Sequence, residues 1–276
     1  MVLFNIVDTF KIRRSIRSFT GQISNESCQI IDNIIKQCNK LKTPYGTNTE
    51  ISLTEPGIGT YGVISNESGW IAIKIPEGIE KKEDYTQYLI DGAFKGSVAV
   101  MKLTQNGIGT VWVGGSFNEK IVESRFPGYH VPCVIAYGMS SNKSKIVDSC
   151  MIIHRGSRSR FDYPYLFYDE QAHTSLKKQP EGKIGEILEC VRWLPSGINK
   201  QSWRISFNAA DMKFRIFDYY NLSNGYSPFD IGIMIGGFYF YSQGRYKIEF
   251  ENYQESYPSG GKYICSIILD DALFRL

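Results

Sequence analysis

Apolar residues recur along this chain in two rhythms, one of about 3.6 residues and one of two, which mark helices and strands respectively. The run LFNIVDTF (3–10) fits a short first helix. In SNESCQIIDNIIKQCNKL (24–41), Ile30, Ile31, Ile34, Ile35, Cys38 and Leu41 fall on one helical face, and Ser24 stands before them as an N-cap. GWIAIKIP (69–76) predicts a strand, YTQYLIDGAFKGSVAVMKLTQNG (85–107) a long helix closed by Gly107, and PCVIAYGM (132–139) a second strand.

The second half repeats this order. GKIGEILECVRW (182–193) carries Ile184, Ile187, Leu188 and Val191 on one helical face. Strands are predicted at SWRISFN (202–208) and KFRIFDYY (213–220), followed by a buried helix from Pro228 to Gly244, then strands at 246–252 and 263–270. Helix, strand, long apolar helix and strand thus occur twice, which predicts an α+β fold built by duplication. The expected division is a first lobe over 1–155, a polar and aromatic linker over 156–181, and a second lobe over 182–276.

Composition narrows the function. With 31 Lys+Arg against 28 Asp+Glu the net charge is +3, so no broad basic field exists for nucleic acid, and any electropositive site must be local. The most apolar stretch, FDIGIMIGGFYFY (229–241), is too short for a membrane span and reads as a core helix. The N-terminal residues do not form a secretory signal, because Asn5 and Asp8 break the apolar run and the basic residues follow it. Six scattered cysteines fit free thiols in a reducing, cytoplasmic setting, and three distant histidines give no metal-ligand pattern, so no metal is expected.

Four motifs carry candidate chemistry. RRSIRSF (13–19) crowds Arg13, Arg14, Ser15 and Arg17 together; it reads either as a basic helix end or as a clamp for an anion, since guanidinium forks suit phosphate and carbonyl oxygens. LPSGINKQSW (194–203) follows a helix, and if extended it presents the amides of Asn199 and Gln201 the same way, suiting a ring edge with alternating donors and acceptors; its plainer reading is a loop cap. NGIGTVWVGGSF (106–117) lacks dinucleotide-fingerprint spacing, but its glycines permit close backbone approach to a flat ligand. RGSRSRF (155–161) is a second arginine cluster or a solvated linker.

Taken together, RRSIRSF, PSGINKQSW and GIGTVWVGG resemble the nitroreductase family of FMN-dependent oxidoreductases, whose wording is roughly RRSxRxF, PSxxNxQPW and GxGxxWxGG. The order is unusual: the PSxxN element lies in the second half, and QCNKLKTPYGTN (37–48), at the matching place in the first, lacks the asparagine–glutamine pair. Family members are usually entwined homodimers with FMN at the interface. The resemblance therefore implies a fused pseudo-dimer, a monomer with one FMN site.

By the same resemblance, Arg13, Arg14, Ser15 and Arg17 would hold the phosphate, ribityl chain and pyrimidine edge. Pro195, Ser196, Gly197, Asn199 and Gln201 would meet the ring from the other lobe. Val113, Gly114 and Gly115 would present backbone to it, Arg158 and Arg160 would add a basic pair, and the loop 59–63 would line the same pocket. Ser202 departs from the family's proline. The implied activity is NADH- or NADPH-dependent hydride transfer through the flavin to a small-molecule acceptor such as a nitroaromatic or quinone. Arg17 would stabilise negative charge on the reduced ring. A flavin-binding protein without turnover, and a lobe that has lost FMN, are the alternatives.

Overall fold

The computed structural model describes residues 3–141, 159–210, 212–223, 225–254, 257–258 and 260–273. Its first half runs α1 (Ile6–Ile12), α2 (Asn25–Asn39), β1 (Glu50–Thr54), β2 (Gly69–Pro76), α3 (Lys82–Gln105), β3 (Gly109–Val113), α4 (Glu119–Arg125) and β4 (Tyr129–Gly138). Then come α5 (Tyr163–Leu166), β5 (Phe167–Asp169), β6 (Thr174–Ser175), α6 (Gly182–Arg192), β7 (Trp203–Asn208), β8 (Lys213–Asp218), α7 (Ser227–Ser242), β9 (Tyr246–Glu249) and β10 (Lys262–Leu269). Ser24 caps α2 as its position predicts, its hydroxyl accepting from the Ser27 N–H.

The duplication is visible in the sheets. The first has the order β1-β2-β4-β3, and the second contains β7-β8-β10-β9 in the same sequence, with antiparallel neighbours throughout both runs. The second sheet is widened by β5 and β6, with β5 lying parallel to β7. The segment expected to be a linker thus supplies two strands of the second sheet. Parallel pairing is available because β5 reaches β7 through the crossover of α6 rather than by a tight turn.

Between the sheets lie α3 and α7, and a single apolar core draws on both halves. α7 is apolar on nearly every side and almost wholly buried. Its contact with α3 is made at backbone distance: a Cβ on Gly232 would stand 2.2 Å from the Ile90 carbonyl oxygen, and one on Gly236 2.9 Å from that of Phe94. The Ser97 hydroxyl donates to the Ile233 carbonyl across the same seam at 3.0 Å.

A second cluster, including Phe19, Trp70, Val111 and Phe117, covers the outer face of the first sheet. The matching face of the second sheet mixes ion pairs with aromatic rings: Glu170 accepts from Ser206 and Arg215, Lys213 sits between Glu249 and Glu251, and Phe217 packs against Tyr253, Tyr257 and Tyr263. No helix among the described residues is long and apolar enough to cross a membrane. Cys28, Cys38, Cys133, Cys190 and Cys265 are free thiols.

Each of the two central helices carries one buried acid. Asp91 of α3 is buried and accepts from the Thr43 hydroxyl at 2.7 Å and from the Tyr45 and Thr47 N–H groups at 2.9 Å each. Asp230 of α7 is equally buried and accepts from the Gly197 N–H at 2.7 Å. Each acid therefore ties the loop before the first strand of its repeat, PYGTN (44–48) or PSGIN (195–199), to a central helix.

Candidate functional site

The arginine-rich segment is not a solvated helix end. α1 stops at Ile12, and from Arg13 the chain runs extended, stitched on both sides. Ser15 lies opposite Thr110 of β3, the Ile16 N–H bonds the Thr110 carbonyl at 2.9 Å, and the Ser65 N–H bonds the Arg17 carbonyl at 3.0 Å. In an extended run alternate residues share a side, which separates Arg13, Ser15 and Arg17 from Arg14 and Ile16. Ile16 packs on Gly109 and Arg14 is exposed, whereas Arg13 is buried and Ser15 and Arg17 are half-buried.

Arg13 is where the two lobes meet. Its Nη2 donates to the Trp193 carbonyl at 3.4 Å, and Arg160 Nη2 donates to the same oxygen at 3.3 Å. Arg160 Nη1 also reaches Asn199 Oδ1 at 3.2 Å, and Asn199 Nδ2 donates to the Ser159 carbonyl at 3.2 Å. Burial, reinforced by the charge of Arg160, pulls the Arg13 guanidinium down to about 9; burial and Arg192 pull Arg160 down to about 10. Both remain cations at neutral pH.

Among the described residues no carboxylate pairs with Arg13, and its buried Nε has no hydrogen-bond partner. A buried cation with an unused donor, crowded by a second cation, is a site short of an anion. Phosphate oxygens would supply that charge and accept from both forks.

PSGIN takes a shape different from the extended one expected. Gly197–Asn199 form a single 3-10 turn, and Ile198, Asn199 and Gln201 have left-handed backbone. Both amides are nevertheless engaged by one segment, Asn199 by Ser159 and Arg160 and Gln201 by Phe161. Gln201 is 1% exposed; its Oε1 accepts from the Phe161 N–H at 2.8 Å and its Nε2 donates to the Asn199 carbonyl at 3.3 Å. It builds the loop instead of offering its amide to a ligand. Ser196 Oγ likewise accepts from the Gln201 N–H at 2.9 Å. Gly197 is required sterically, since a Cβ there would lie 2.6 Å from the Tyr226 ring. Pro195 is half-buried at the start of the turn.

The glycine motif is a strand end. Gly109–Val113 pair with β4, and Gly114 and Gly115 emerge exposed, with nothing within 4 Å of a Cβ placed on either. That leaves the backbone there approachable by a flat group. The loop 59–63 lies alongside, the Thr60 N–H bonding the Ser116 carbonyl at 2.9 Å, and Tyr61 stands 88% exposed. Arg158 lies outside the described residues.

The structure thus joins Arg13 to Arg160 through the Trp193 carbonyl and Arg160 to Asn199, and seats Ser15 beside the strand that leads to Gly114 and Arg17 beside Ser65. It buries Gln201 within the loop. Two participants escaped the sequence reading. Trp193 offers the shared carbonyl, and its ring lies 5.2 Å from the Arg160 guanidinium. Asp230 holds Gly197; its signal was an acid inside an apolar helix.

Two sheets of one repeated order, clasped through a glycine-lined helix pair, with buried arginines and an asparagine loop meeting between them, define an α+β chain built as an internal pair. Residues 5–242 match the family model described as "Putative TM nitroreductase", and the chain belongs to that nitroreductase family. A Thermotoga maritima MSB8 protein described as a "putative nitroreductase" superposes with a TM-score of 0.62 at 17% identity, over 97% of this chain and 94% of that one. A nitroreductase family protein from Clostridium novyi NT gives 0.41 at 20% identity, over 53% and 91%. An FMN-dependent nitroreductase from Clostridium difficile R20291 gives 0.39 at 20%, over 50% and 88%. No curated protein matches the sequence.

Proposed function

We propose that this chain is an FMN-dependent oxidoreductase that takes hydride from NADH or NADPH and passes electrons to a small-molecule acceptor such as a nitroaromatic or quinone. The observation that carries this reading is the meeting of Arg13 and Arg160 on one carbonyl, with a buried donor of Arg13 unused and Asn199 beside them. When bound, FMN would supply the hydride-accepting ring, the part of the chemistry that side chains cannot perform.

The chain's own residues have binding and electrostatic tasks. Arg13 and Arg160 hold the phosphate, with Arg14, Ser15 and Arg158 as further contacts along the phosphate and ribityl chain. The PSGIN loop forms a wall from the second lobe, with Asn199 at its tip. The backbone at Val113, Gly114 and Gly115 meets the ring edge, where a side chain would obstruct it. Arg17 fixes positive charge near the pyrimidine edge and lowers the cost of negative charge appearing there, and a preorganised cation does this without reorganising at the moment of transfer. With both halves of the family's interface in one chain, we further propose that a monomer carries one flavin.

The purified protein should be yellow, with one FMN per chain. Anaerobic titration with NADH and NADPH should bleach the flavin absorbance, and Arg17→Ala should slow that bleaching. Bound flavin that neither nucleotide bleaches would leave a binding protein without turnover, and a chain that takes up no FMN would remove the reading altogether.

A further inference from the structure

The PSGIN loop is a costly structure to hold. Ile198, Asn199 and Gln201 adopt φ of 44°, 59° and 47°, and for a β-branched residue such as Ile198 that region is a genuine outlier. A turn of this kind persists only where its surroundings over-determine it. Two of its contacts are local, Gln201 N–H to Ser196 Oγ and Asn199 N–H to the Ser196 carbonyl, and a third, Phe161 N–H to Gln201 Oε1, joins it to the segment before α5. The bond that ties it to the helical core is Gly197 N–H to Asp230 Oδ1.

Asp230 is cut off from solvent. It is 0% exposed, and its Oδ2 has no hydrogen-bond partner. Ser202, which departs from the family's proline, bears on the same carboxyl through its N–H and side chain, although its hydroxyl forms no well-made hydrogen bond. The two ends of the turn, Gly197 and Ser202, therefore close around one buried acid. The duplication supplies an independent observation: Asp91 does the same for PYGTN, holding the Tyr45 and Thr47 amides.

We propose that Asp230 is a positioning residue, holding Gly197, and through the turn Asn199, in the arrangement that meets Arg160 and the flavin. This deepens the FMN reading above and rests on it for the ligand. Asp91 is its built-in control, because it anchors the matching loop of the other half.

The test uses the full-length chain. Hydrogen exchange should be measured with and without FMN, together with FMN affinity, for Asp230→Ala, Asp230→Asn and Asp91→Ala. In Asp230→Ala the amides of 197–201 should exchange faster while those of 45–47 do not, and FMN affinity should fall by about tenfold, as for one lost buried hydrogen bond. Asp230→Asn keeps the acceptor for Gly197 and should stay within about threefold of the wild type. Asp91→Ala should loosen 45–47 and leave FMN affinity unchanged.

If Asp230→Ala does not fold, Asp230→Ser, too short to reach Gly197, carries the same expectations. Unchanged exchange at 197–201, or equal losses of affinity in the Asp91 and Asp230 variants, would overturn the proposal. A wild type that binds no FMN would instead remove the flavin reading, while the exchange pattern still decides whether Asp230 anchors the turn.

Discussion

PYGTN and PSGIN occupy matching places in the two repeats and hang from matching acids, yet they end in opposite surroundings. PSGIN borders Arg13 and Arg160, and the residue after β3 in the other half is Gly114, beyond which lies open space. The residue after β9, at the corresponding strand end, is Phe250, and its ring packs 4.8 Å from that of Tyr45 in PYGTN. One of two symmetry-related places is open and cationic; the other is filled by two aromatic rings. Duplication supplied two frames, and side-chain bulk leaves one strand end open and fills the other.

The strongest way to break this contrast is to make the open place resemble the closed one. Gly114→Phe introduces the Phe250 counterpart where a Cβ meets nothing, so folding should survive while FMN uptake, read from the visible spectrum, is lost. Uptake equal to wild type would show that the strand end does not border the ring.

A smaller effect separates binding from stability. Arg13→Met removes a buried cation that lies beside another cation. FMN affinity should fall ten- to hundredfold, about 1.5–3 kcal/mol for a charge-assisted bond, by fluorescence titration. The thermal midpoint of the flavin-free protein should hold or rise, because an uncompensated buried charge is gone. A lower midpoint would mean that Arg13 serves the fold first.

A further effect, read on stability and not on binding, follows the buried acid of the second repeat. Burial pushes the Asp230 carboxyl up to about 8, and Asp218 adds to the shift against the opposing contacts of Gly197 and Ser202. The folded chain then keeps a proton that the unfolded chain releases near pH 4. Stability contributed by this group should fall as pH rises from about 4 to about 8, since the native state binds more protons across that window. Denaturant midpoints measured over that range should show the decline, and Asp230→Asn should flatten it.

Much of this architecture was legible because burial leaves a period. α2, β2, α3, β4, α6, β7, β8, α7 and β10 all lie within a few residues of where apolar spacing predicts them. β3 was hidden because Gly107, Gly109 and Gly114 punctuate it as a loop would, and it is a strand only through pairing with β4. β1 and β5 are short, and β5 exists because a distant partner, β7, accepts it. At the site, the motifs named the segments but not their internal geometry. Gln201 turns inward because its own loop needs its amide, and the pairing of Arg13 with Arg160 on the Trp193 carbonyl depends on how two lobes dock. The acids at 91 and 230 were readable in principle, as the same interruption in the same helix of both repeats.

The crossing of α3 and α7 gives that docking a further meaning. Gly232 touches the Ile90 carbonyl one turn or less from both anchoring acids, so the loops are suspended from the very point where the helices are closest. The spacing between the two helices is consequently gauged by a hydrogen atom in place of a side chain. Even one methyl group at 232 must prise the axes apart and carry both suspended loops with them, a displacement set from deep inside with every loop residue unchanged.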